Sequence, residues 1–120
     1  MRRLLTAAAA MFALAAPGFA QNDIRESLDT DWDAHLQGLY RHLHANPELS
    51  FMEFETAARM AQELRSAGYD VTEEVGRTGV VAVMENGDGP TILLRADMDG
   101  LPMREQTPLE FASTVMGEDR

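Results

Sequence analysis

The 120-residue sequence contains no cysteine and no lysine. Without cysteine, neither a disulfide nor a thiolate metal site can form within the chain, so any fold rests on packing, hydrogen bonds and charge. Without lysine, the only strongly basic side chains are arginines, and ten of them face twenty acids for a formal net charge of −10. Phosphate binding needs a concentrated basic patch, so this balance excludes nucleic acid as a partner and disfavours an anionic membrane surface. Long apolar runs are missing as well. The longest, Leu4 to Ala16, falls short of the roughly 20 residues that span hydrocarbon. No P-loop, dinucleotide-binding glycine pattern or G-x-S-x-G nucleophile motif occurs.

What remains is ordinary globular composition, 45% apolar and 25% charged, enough for one small core. The first 20 residues have the three parts of an export signal. Arg2 and Arg3 give a positive start, Leu4 to Ala16 an apolar run, and Pro17-Gly18-Phe19-Ala20 a small-residue cleavage site. Cleavage after Ala20 is expected, leaving residues 21–120 as the mature segment, periplasmic or secreted and not membrane-bound.

In that segment Ile24, Leu28, Trp32, Leu36, Leu39, Tyr40 and Leu43 form one helical stripe, with Asn22 as its cap and Pro47 beyond its end. A second helix is expected after Ser50 and Glu53, an S-x-x-E capping box, with Leu49 stapled on Phe54. Its buried stripe would be Phe54, Ala57, Ala58, Ala61 and Leu64, and Gly68 would stop it. Tyr69, Val71 and Val75 then suggest an edge strand, with Glu73 breaking the apolar alternation. Val80 to Met84 and Ile92 to Ala96 read as a hairpin turned by Asn86-Gly87-Asp88-Gly89-Pro90, its second strand central and covered by helices. The fold class expected is therefore α/β.

The densest chemistry is Arg95-Ala96-Asp97-Met98-Asp99-Gly100-Leu101-Pro102, directly after the most apolar expected strand. Ligands of α/β sheets sit at the carboxyl ends of strands. Two carboxylates at this spacing can bind a hard cation, orient a metal-bound histidine or act as a general base. They can equally be loop aspartates bonding nearby backbone N–H groups, and spacing alone leaves both readings open. Asp29, Asp31 and Asp33 do not make a calcium loop, because Ala34 and Tyr40 stand where glycine and glutamate are required. His35, His42 and His44 contain no i, i+4 pair, which favours structural roles for all three.

Two stretches taken together carry a family resemblance. Arg41 to Thr56, read as R-x-x-H-x-x-P-E-L-S-F-x-E-x-x-T, and Leu93 to Pro102, L-L-R-A-D-M-D-G-L-P, resemble the peptidase family M20 amidohydrolases. The branch concerned is that of hippurate hydrolase, N-acyl-amino-acid amidohydrolases and auxin-conjugate hydrolases. The resemblance implies the N-terminal part of a zinc-peptidase-like catalytic domain, in an enzyme that also has a lid or dimerisation domain compatible with a homodimer. It implies hydrolysis of the amide of a small N-acyl amino acid or peptide-like substrate by a divalent metal pair, zinc, manganese or nickel, with a glutamate base. The family's H-x-D pattern places Asp99 at the orienting aspartate and Asp97, the weaker site candidate, at the replaced histidine. His44, Glu48 and Glu53 would shape the fold around the pocket without being ligands. The remaining ligands would lie beyond Ala112, in a motif like H-A-C-G-H-D, so no metal is expected on this segment alone and the segment by itself should be inactive. A rival reading is a small acidic secreted binding module. The reading frame beyond Arg120 separates the two.

Overall fold

A computed structural model describes residues 18–116. The expected leader, apart from Gly18 to Ala20, lies outside these residues. The chain divides into two compact units, with the boundary between Leu36 and Gln37.

The first unit contains helix α1, Gly18–Asp31, followed by one wider turn of π type, Trp32–Leu36. α1 begins four residues ahead of Asn22, which is therefore inside the helix and not its cap. No proline or glycine separates Gly18 from Asn22, so nothing stops the helix propagating back past it. Asp29 and Asp31 lie on α1 and Asp33 in the π turn, all exposed, as a solvated acidic stretch requires. The apolar positions of this unit are open to solvent too, from Ile24 at 61% to Leu36 at 37%.

The second unit opens with α2, Gln37–Ala45. The single helix expected over residues 24–43 is thus interrupted, because the π turn adds a residue to one turn and breaks the 3.6-residue period. The Asn46 side chain donates to the His42 carbonyl (2.8 Å), covering one of the last carbonyls of α2 ahead of Pro47. Helix α3, Phe54–Ser66, follows a turn. It buries Ala57 and Ala61, whereas Phe54 and Ala58 of the expected stripe face outward and Leu64 is half-buried. The C-terminus of α3 follows expectation closely. Gly68 adopts φ +89°, its N–H bonds the Arg65 carbonyl, and the Tyr69 N–H bonds the Leu64 carbonyl, both at 3.0 Å. Paired bonds of this kind satisfy carbonyls that have no partner inside the helix.

Strands β1, Asp70–Val75, and β2, Gly79–Val83, form an antiparallel pair. Asp70 faces Val83 and Thr72 faces Val81, and the register slips between Thr72 and Val75, where Glu74 has φ 60°. Glu73, which breaks the apolar alternation of the sequence, falls within this irregular stretch. α3 packs on both strands, and Arg65 at its end meets Glu73 of β1 at 2.5 Å.

The hairpin thus joins residues 70–75 to 79–83 through Gly76-Arg77-Thr78, and the expected pairing of 80–84 with 92–96 does not occur. Residues 92–96 belong to no strand, and Ile92, Leu93 and Leu94 are 81–89% exposed where burial under helices was expected. The three-residue link from β1 offers β2 a nearer partner than the longer turn at Asn86 to Pro90 does, and among the described residues the second edge of β2 stays open.

Candidate functional site

Glu48, Glu53 and Thr78 are buried, although two are acids. Burial of a carboxylate requires hydrogen-bond partners, and each has them. Glu48 accepts from the backbone N–H groups of Thr56 (2.7 Å) and Glu55 (3.3 Å), one on each oxygen. These are the second and third residues of α3, so Glu48 caps a helix that starts six residues later. A carboxylate is doubly suited there, satisfying orphan N–H groups and facing the positive end of the helix dipole. The capping box expected from Ser50 does not form. The cap position is Glu53, and no side chain at that position bonds the helix.

Glu53 turns the other way. One of its oxygens accepts from the Thr78 hydroxyl at 2.6 Å, tying the entry of α3 to the hairpin turn. That bond, with help from the N–H groups of Glu53 itself and Phe51 and from Arg77, holds its carboxyl below the ordinary range despite partial desolvation. Phe51 has φ 65°, a left-handed conformation that phenylalanine rarely adopts. Taking up the Phe51 N–H helps to hold it there.

The same short segment receives the aspartate loop. The Gly100 N–H donates to the Glu48 carbonyl at 2.6 Å, and Leu49 and Gly100 form an isolated parallel bridge. A Cβ on Gly100 would lie 2.6 Å from the Pro47 Cβ, so only glycine allows this approach. Two motifs some fifty residues apart in sequence therefore meet backbone to backbone.

Farther along, Glu105 binds the His44 Nε2 (2.8 Å), the Ser113 N–H (2.6 Å) and the Thr107 hydroxyl. Bonds from Thr107 foremost, then His44 and Ser113, bring its pKa down to about 2. Phe111 packs edge-on against His44 at 5.1 Å and lies under the Arg41 guanidinium, also at 5.1 Å. A shallow cleft beside this junction is lined by Arg104, Glu105, Ala112, Ser113, Thr114 and Met116. His44, Glu48 and Glu53 are thus all structural anchors. Their counterparts are Glu105, Gly100 and Thr78, none of which carries an anchor signal in the sequence.

Asp97 and Asp99 are both exposed. Asp97 is paired with Arg95 at 2.5 Å, and Asp99 has no ion-pair partner among the described residues. Among the described residues no group of three or more histidines and acids could hold a metal ion. Two aspartates, one neutralised by arginine, do not make the donor shell of a divalent ion.

Comparison with known proteins decides the family. Hippurate hydrolase of Campylobacter jejuni is 45% identical over 84 residues, covering 69% of this chain and 22% of the relative. N-acetyl-L-cysteine deacetylase of Bacillus subtilis is 43% identical over 86 residues, 71% of this chain and 21% of that protein. The crystal structure of the Bacillus subtilis YXEP protein, a dinuclear metal-binding peptidase from the M20 family, superposes with a TM-score of 0.64. It is 40% identical, covering 73% of this chain and 25% of that one. Over the matched residues the chain is homologous to the M20 amidohydrolases. No family model matches it. The chain spans about a fifth to a quarter of the length of the curated M20 relatives it matches. The α/β character expected from the sequence agrees with this M20 neighbour.

Proposed function

We propose that this chain supplies the N-terminal part of the catalytic domain of an exported, divalent-metal-dependent amidohydrolase that cleaves the amide of N-acyl amino acids. The observation that carries the reading is the joint at Glu48 and Gly100. It brings together the two motifs that resemble the family, and it fixes the end of the loop bearing Asp97 and Asp99. The substrate class is supported by relatives named for hippurate and N-acetylcysteine, and the metal by the dinuclear neighbour. The described residues do not form a metal site, so the role assigned to this chain is confined to its own groups. Arg95 neutralises Asp97, and Asp99 is the carboxylate offered to the rest of the site. Export rests on the tripartite first 20 residues.

The test is hydrolysis of hippurate and a panel of N-acetyl amino acids by the protein encoded by the whole reading frame. The reading expects amino-acid release that is abolished by a chelator and restored by zinc, manganese or nickel. Absence of hydrolysis across the panel in metal-supplemented, folded protein would refute it. Export is tested by mass spectrometry of the periplasmic product, which should begin at Gln21. Retention of Met1 to Ala20 would contradict it.

A further inference from the structure

Glu48 is the residue where two structural tasks coincide. Its buried carboxylate holds the first-turn N–H groups of α3, and its backbone carbonyl holds the N–H of Gly100. A side chain anchored at both oxygens cannot rotate freely, and its own peptide carbonyl is fixed with it. Pro47, immediately before, has a locked φ and lies against Gly100, so the segment has little freedom on its other side either.

We propose that Glu48 is a positioning residue for the Asp97–Gly100 loop, setting the place of Asp99 through the start of α3. The helix end is the reference, the Glu48 side chain transfers its position to residues 47–49, and the Gly100 bridge transfers it to the loop. The two joints are in series. Losing the carboxylate therefore releases Gly100 although the atom that binds Gly100 is a backbone oxygen that every substitution retains. This role rests on the reading of Asp99 as a member of an amide-hydrolysing site.

The test compares amide hydrogen exchange at Thr56 and Gly100 in the whole protein with that in Glu48→Gln and Glu48→Ala. It is joined to kcat and KM for hydrolysis of hippurate. Glu48→Ala leaves two first-turn N–H groups without the acceptor, and protection should fall about tenfold at both Thr56 and Gly100. Glu48→Gln keeps one carbonyl oxygen, and both amides should lose about threefold. In each folded variant kcat should fall, by about 10-fold in Glu48→Ala, with KM within about twofold. Loss of protection at Thr56 with Gly100 unchanged, in either variant that folds, would overturn the coupling. Loss at both amides with wild-type kcat would overturn the positioning role. If Glu48→Ala fails to fold, Glu48→Gln decides by the same criteria. A wild-type protein that hydrolyses no N-acyl amino acid refutes the proposed function instead, and the exchange result then still decides whether Glu48 holds the loop.

Discussion

Replacing Glu53 by alanine should loosen the junction between α3 and the hairpin more than any exposed ion pair on this chain could. Glu53 and Thr78 are 7% and 8% exposed and meet at 2.6 Å. A hydrogen bond to a charged acceptor contributes about 1.5–3 kcal/mol, and an abandoned buried hydroxyl costs about 1–3 kcal/mol. These ranges overlap in one event, so Glu53→Ala should destabilise by about 2–3 kcal/mol. By contrast, Arg65–Glu73, with side chains 51% and 37% exposed, contributes about 0–1 kcal/mol. The assay is a double-mutant cycle of Glu53→Ala and Thr78→Val by urea denaturation followed by circular dichroism. A coupling of about 1–2 kcal/mol is expected. Additivity within about 0.5 kcal/mol would refute the assignment of this bond as the link between the two elements.

Gly100→Ala places a methyl group against the Pro47 ring, so it should raise hydrogen exchange of the residue 100 amide while leaving the α3 amides unaffected. Gly79→Ala would set a Cβ against the Val75 carbonyl oxygen, and the β1–β2 cross-strand contacts should weaken in nuclear Overhauser spectra. Glu105 has a folded-state pKa depressed from 4.5 to about 2, so its contribution to stability is complete above about pH 4.5 and is lost as pH falls through about 2. The chemical shifts of Ser113 and His44 should report the opening in that window, and Glu105→Gln should remove this component. Phe51→Gly relieves a left-handed φ of 65° on an exposed residue, and stability should rise or stay level; a loss beyond about 1 kcal/mol would show that the ring itself packs.

Local chemistry was the legible part of this sequence. Gly68 stops α3 because the requirement for a left-handed residue is written in one position and needs no distant partner. The two family motifs were legible for a similar reason, being short and ordered along the chain. The cap of α3 was misread because Ser50 and Glu48 are both within reach of a helix start, and the choice turns on the left-handed step at Phe51. That step moves the helix start to Phe54 and brings Glu48 under it. Strand pairing was misread because β2 could pair with either neighbour in sequence, and periodicity describes faces but not edges. Residues 92–96 show the consequence, an apolar run expected as a central strand that joins no ladder and stays exposed. The contact between Glu48 and Gly100 had no signal in spacing. Only the need for glycine beside Pro47 reveals it, and that need exists only once the two segments meet.

The most direct test of the account is the turnover of Asp99→Asn against Asp97→Asn in the whole enzyme, with hippurate as substrate at saturating metal. Asp97 is neutralised by Arg95, whereas Asp99 stands next to the anchored Gly100. Asp99→Asn should therefore lower turnover by about 10- to 100-fold, while Asp97→Asn should lower it less and leave circular dichroism unchanged. Wild-type turnover in Asp99→Asn together with a large loss in Asp97→Asn would contradict the account and make Asp97 the functional carboxylate.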